Sequence, residues 1–239
     1  MKKLYDTREN LFAIFWIVVY CLLTIPIRGE LGDESVWVLA APAGIAAAAT
    51  AFIVKYRLQA KYGLDRWPAN IGRYWYFIPM LVLATGNLWG GFAVAYPGLG
   101  QVCAVLSMLL VGYVEEVIIR GFLFKMMLRK NGVKPAVIVS AVTFGIGHLV
   151  NLLAGQATVE SILQVFFAIA WGFIFTMVFF KCGSLWPCIV IHGLVDAFSK
   201  FAAPNETAAW AYIIATIVVA LVYGPCLSRL ETAPNHLTA

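Results

Sequence analysis

Three short stretches of this chain place reactive side chains inside otherwise apolar sequence. VGYVEEVIIRGFLF, residues 111–124, carries Glu115, Glu116 and Arg120; TFGIGHLVN, 143–151, carries Phe144 and His148; VIHGLVDAF, 190–198, carries His192 and Asp196. Carboxylates and imidazoles are the groups that take a proton from water and hold a developing oxyanion, so together they can activate water against a carbonyl. Spacing divides the work. On a helix, Glu116 and Arg120 are four apart with the acid first, the better order for an ion pair. Glu115 is turned about 100° away from Glu116 and has no helical partner of its own. His192 and Asp196 share a face, as do Phe144 and His148. Each element has a structural reading as well. Glu116–Arg120 alone is a structural ion pair, a lone His148 is a hydrogen-bonded core histidine, and His192 with Asp196 is a clamp between helices. The full set favours chemistry.

The elements that must position these groups are membrane helices. The chain has 239 residues, 62% of them hydrophobic and 12% charged, against about 25% charged in an ordinary soluble domain. A hydrocarbon core about 30 Å thick takes roughly 20 apolar residues per helix. That criterion gives an all-α, polytopic membrane protein of about eight transmembrane helices: 10–27, 36–54, 74–95, 101–124, 135–153, 160–180, 185–202 and 208–227. Turn formers and charges separate them, with no repeat and no low-complexity linker, so 1–239 is expected to form a single integral-membrane domain with its motif-bearing core at about 101–202. Met1-Lys2-Lys3 before the first apolar run resembles the start of a signal peptide, but no small-residue cleavage site follows directly, and the run is read as a retained helix.

The net charge is +5, and its distribution excludes nucleic-acid binding as its cause. With the N-terminus inside, the inner segments hold fourteen of the seventeen basic residues, among them Lys55, Lys61, Lys125, Arg129, Lys130 and Lys181. The outer segments hold only Arg28 and Lys200. This asymmetry is the positive-inside pattern, and it predicts both termini on the cytoplasmic side. The five cysteines show no metal or disulfide spacing and read as small hydrophobes. His236 lies in the polar tail and takes no role. Asn205-Glu206-Thr207 matches a glycosylation acceptor, a pattern too short to carry weight.

Counting 1.5 Å per residue from the inner helix ends, Glu115 lies roughly 15 Å deep, His148 roughly 20 Å, and His192 and Asp196 roughly 10 and 17 Å. One layer, in the middle and inner half of the membrane, is therefore expected to hold them all. Gly112, Gly121, Gly145, Gly147 and Gly193 beside them would permit close helix approach.

These motifs resemble the CAAX protease and bacteriocin-processing (CPBP, or ABI) family, which includes the Rce1-type intramembrane endopeptidases. Two glutamates, three residues and an arginine are matched by Glu115, Glu116 and Arg120. Phe, three residues and His are matched by Phe144 and His148. His, three residues and Asn or Asp are matched by His192 and Asp196. The resemblance implies an eight-helix core with a site opening toward the cytoplasmic side and the bilayer. It also implies a glutamate-type protease in which Glu115 and His148 activate water, His192 and Asp196 form or orient the oxyanion site, and Glu116, Arg120 and Phe144 support it. Rce1-type enzymes carry asparagine where this chain has Asp196; an ionised Asp196 only accepts hydrogen bonds, so its expected task is to orient His192.

The expected partner is a membrane-associated protein or peptide substrate within the lipid bilayer, prenylated or not. Processing of bacteriocins or of C-terminal sorting segments belongs to the same class. The expected location is the cell (inner) membrane of a bacterium or archaeon. No cofactor is expected. Zinc bound by the two histidines and two carboxylates is a second enzymatic reading, although neither histidine belongs to an HExxH motif. A proton-coupled transporter and a non-catalytic immunity or scaffold protein are the alternatives from other classes.

Overall fold

A computed structural model describes residues 1–68, 77–149 and 158–230. It is built of helices: α1 (Lys2–Thr7), α2 (Glu9–Leu31), α3 (Val36–Lys55), α4 (Ile78–Ala84), α5 (Leu99–Glu116), α6 (Lys125–Asn131), α7 (Val133–Gly147), α8 (Thr158–Cys182), α9 (Trp186–Ser199) and α10 (Glu206–Arg229). Between α5 and α6 the chain stays helical through one π-helical stretch, Val117–Phe124. No strand occurs among the described residues; Phe92 and Ala202 form one isolated bridge.

Among the described residues, five helices are long and apolar enough to cross a membrane: Glu9–Leu31, Val36–Lys55, Leu99–Asn131, Ser161–Cys182 and Glu206–Arg229. The other three expected spans appear as shorter apolar helices, Ile78–Leu88, Val133–Gly147 and Trp186–Ser199. The count of eight full spans is therefore not reached among the described residues. Parts of the expected spans, 74–76 and 150–153, lie outside them, as does His236. The shortening of 74–95 has a visible cause. Its apolar residues beyond the Gly90-Gly91 pair leave the helix and run as a strap: Ala93 N–H donates to Phe201 O at 2.9 Å and Ala203 N–H to Gly91 O at 3.1 Å. Apolarity alone does not distinguish such a strap from a helical turn.

The helix ends collect at two poles. At one, Lys61 donates to Glu9 at 2.7 Å and Arg129 also pairs with Glu9. There Leu185 N–H donates to Gly63 O at 2.9 Å, and Lys181 reaches Leu230 O at 2.6 Å. At the other, Asp33 pairs with Arg28 at 2.6 Å and with Lys200 at 2.5 Å, and Gln101 donates to Lys200 O at 2.8 Å. The first pole gathers the lysines and arginines of the expected inner segments, and the ends of α1 and α10 both lie there. Asn205, the asparagine of the glycosylation match, caps α10 by accepting from Ala208 N–H at 3.0 Å.

The core is aromatic and aliphatic, and α5 crosses α9 at its centre. A Cβ added to Gly112 would lie 2.5 Å from the Gly193 backbone nitrogen, so this pair of glycines sets the crossing distance. Gly145 serves α7 against α8 in the same way, its added Cβ falling 2.3 Å from the Ile169 side chain. Gly147 faces open space and Gly121 makes only ordinary contact with Tyr62; neither is needed for close approach.

Candidate active site

Glu116 and Arg120 form an ion pair with both side chains fully buried. Arg120 Nη1 donates to Glu116 Oε1 at 2.9 Å, and Nη2 to Gly172 O at 3.2 Å. The guanidinium lies 4.3 Å from the Phe144 ring centroid, a cation–π contact strengthened by the full burial of Arg120. Glu116 Oε1 also meets His192 Nδ1 at 2.8 Å. That contact assigns the proton to Nδ1 and turns Nε2 of His192 toward Asp196 and Glu115. Phe144 further packs edge-on to His148 and to His192, with centroids at 5.1 and 5.3 Å, while Phe175 stacks on His192 at 5.4 Å.

Glu115 points the other way, as a turn of about 100° from Glu116 requires. Its Oε1 accepts from Tyr20 Oη at 2.5 Å. Its Oε2 lies 3.8 Å from His192 Nε2, and Asp196 Oδ2 lies 3.4 Å from the same nitrogen. His148 caps the end of α7, with Nδ1 2.9 Å from Phe144 O. The carbonyl can only accept, so Nδ1 carries the proton here also and Nε2 is left for other partners.

Glu115, His148 and Asp196 line one cavity of about 290 Å³. His192 stands behind that wall, 4% exposed. The structure thus brings Glu115, His192 and Asp196 into direct proximity and sets His148 on the same cavity. The imidazole nearest Glu115 is that of His192, at 3.8 Å, and His148 shares the cavity with both carboxylates. Among the described residues, no three His, Cys, Asp or Glu side chains are grouped so as to hold a metal ion.

The helix ends place these groups along the axis of the fold. α7 ends at Gly147 and α9 at Ser199, so His148 and Asp196 sit at or within a turn of the ends facing the Asp33 pole. The cavity wall continues that way through Thr24, Arg28, Val38, Asn87 and Ser199. The layer is shared, but it is displaced toward the pole opposite the basic one. The distances from the inner ends of α7 and α9 stand as counted; it is the short run of helix beyond His148 and Asp196 that brings the opposite pole close to them.

Tyr20, Thr24 and Arg28 were not among the residues singled out by motif. A signal for them exists: they recur every four residues on the first apolar helix and form a polar stripe, and all three line the cavity. Asn87 had no comparable signal. It enters through the fold, its Nδ2 donating to Val195 O at 2.7 Å beside Asp196.

Comparison with known proteins bears on this site directly. A family model described as type II CAAX prenyl endopeptidase Rce1-like matches residues 98–198. No curated protein and no solved structure matches the chain. The matched stretch begins at the start of α5, ends within α9, and contains Glu115, Glu116, Arg120, Phe144, His148, His192 and Asp196. Over that stretch, less than half of its 239 residues, the chain is similar to the Rce1-like type II CAAX prenyl endopeptidases.

Proposed function

We propose that this protein hydrolyses a peptide bond of a membrane-associated protein or peptide with Glu115 as the base that activates water. The observation that carries the reading is the convergence of Glu115, His148 and Asp196 on one cavity, with His192 held against it by a fully buried Glu116–Arg120 pair. Tyr20 occupies Oε1 of Glu115, so Oε2 is the oxygen presented to water. His148 Nε2, from the facing wall, is the second group that holds this water.

Glu115 takes one proton from the water as the hydroxide oxygen bonds to the scissile carbonyl carbon. The oxyanion that forms accepts from His192, which acts as an imidazolium with a proton on each ring nitrogen: Nδ1–H donates to Glu116, and Nε2–H, aimed by Asp196, donates to the oxyanion. As the C–N bond breaks, Glu115 returns the proton to the departing amine. Asp196 orients the imidazole and does not itself donate. Glu116 and Arg120 neutralise each other and hold the shape of the wall, and Phe144 packs against Arg120 and both imidazoles.

The test is cleavage by the purified protein in a bilayer disc, with membrane-anchored CAAX-type peptides as substrates and the product identified by mass. Wild type is expected to release a fragment with a new terminus, and Glu115→Ala is expected to release none above background. Full activity in Glu115→Ala would overturn the assignment. Ion flux into sealed vesicles without any cleavage would favour a transporter instead.

A further inference from the structure

The position of the cavity along the membrane axis carries information about the substrate. We infer that the cavity opens to the non-cytoplasmic face, opposite to the cytoplasmic opening that the family resemblance implies, and that the substrate is a translocated, membrane-anchored polypeptide whose scissile bond lies at the outer leaflet. This inference rests on the peptidase reading above for its substrate and on two separate observations for its side.

The first is the asymmetry of charge. The pole formed by Glu9, Lys61, Arg129 and Lys181 gathers the basic segments, whereas the described opposite pole contributes Arg28 and Lys200. An excess of basic residues in short connecting segments marks the cytoplasmic side. The basic pole is therefore cytoplasmic.

The second is where the cavity is closed. Toward the basic pole, Phe12, Phe52, Tyr62 and Phe122 pack ring against ring, with Phe12–Phe122 at 5.0 Å, Phe12–Phe52 at 4.9 Å and Tyr62–Phe122 at 5.2 Å. Phe12, Tyr62 and Phe122 are no more than 1% exposed. Below this layer, Tyr5 and Glu9 are tied to Lys61. Among the described residues, no lysine or arginine of the basic pole lines the cavity. Toward the other pole the wall passes from Glu115 and Asp196 to Thr24, Ser199 and the partly exposed Arg28, near the ends of α2 and α9. A polypeptide entering along this wall reaches Glu115 without crossing the aromatic layer. A chain presented from the cytoplasm meets that layer first.

Side-selective thiol labelling tests the inference without relying on catalysis. Thr24→Cys, Ser199→Cys and Lys130→Cys are placed singly in full-length protein whose five native cysteines are replaced by serine or alanine. Each is exposed to a small membrane-impermeant maleimide in intact bacterial cells and in inverted membrane vesicles. Thr24→Cys and Ser199→Cys are expected to label at least several-fold more in intact cells, and Lys130→Cys in inverted vesicles. Labelling of Thr24→Cys and Ser199→Cys from inverted vesicles alone would overturn the inference. So would a Thr24→Cys thiol inert from both faces while Ser199→Cys reacts from outside, because the cavity would then not be open there. If the cysteine-free background fails to fold, modification of native Cys21, which also lines the cavity, gives the same readout by peptide mass in wild-type protein. Glu115→Ala cleavage is scored separately, so loss of the peptidase reading and reversal of sidedness are distinguishable.

Discussion

Asp196 stands 3.4 Å from His192 Nε2 with about a quarter of its side chain exposed, and an ionised carboxylate there can only accept. In the proposed mechanism its value to a reaction that builds negative charge is therefore indirect: it turns the imidazole, and the imidazole donates. An amide in its place keeps an acceptor oxygen at the same reach, and a methyl group does not. Asp196→Asn is accordingly expected to keep kcat within about tenfold of wild type, which is roughly 1.4 kcal/mol of transition-state stabilisation. Asp196→Ala is expected to fall further. Steady-state cleavage by both variants, each checked for unchanged thermal unfolding, measures the difference; equal and complete loss in both would contradict an orienting role. The i,i+4 spacing made the Asp196–His192 and Glu116–Arg120 pairs readable in advance, since helical geometry fixes them. The approach of Glu115 to His192, and its bond to Tyr20, depends on which helices pack together, and local spacing holds no record of that.

At the scale of elements, the site depends on how closely α5 and α9 cross, because Glu115 and Glu116 lie on one and His192 and Asp196 on the other. Gly112 against Gly193 is the contact that permits it. Adding one methyl at Gly112 forces the backbones apart, an overpacking that costs about 1–3 kcal/mol. Gly112→Ala is expected to lower the melting temperature in detergent and to reduce kcat by widening the Glu116–His192 contact. Unchanged melting and unchanged cleavage would show that the crossing is not tight. Among the described residues, α2, α3, α5 and α7 to α10 arise from the apolar runs and their breaks, so the all-α class was legible from composition and span length, whereas the short charged α1 and α6 were not. The π-helical stretch at Val117–Phe124 and the truncation of α4, α7 and α9 were not, because apolar residues fill a strap or a shortened helix as readily as a full span.

The whole molecule presents an apolar exterior to lipid, with Leu22, Ile138, Leu221 and Val222 each more than 60% exposed, and two polar poles of different character. At the pole near the cavity mouth, burial pushes the Asp33 carboxyl up, but Arg28 and Lys200 outweigh it and hold the group below the usual aspartate range. A carboxylate with a lowered folded value contributes stability that is present above its unfolded value, about 3.9, and lost as pH falls through the folded value. Wild type is therefore expected to lose thermal stability as pH falls from 4 toward 2. Asp33→Asn should be less stable than wild type at neutral pH and should show less of that acid-side loss. Identical acid profiles for the two proteins would remove Asp33 from the account.

The central claim is that Glu115 activates water, and the most direct measurement is kcat for Glu115→Gln beside wild type on one membrane-anchored peptide, with the unfolding temperature of both recorded. The amide preserves shape and can still accept from Tyr20, but it cannot take the proton. A fall of about 10²–10⁴ in kcat, the range contributed by a positioned base, with no change in unfolding temperature, is the predicted result. Wild-type turnover by Glu115→Gln would contradict the mechanism.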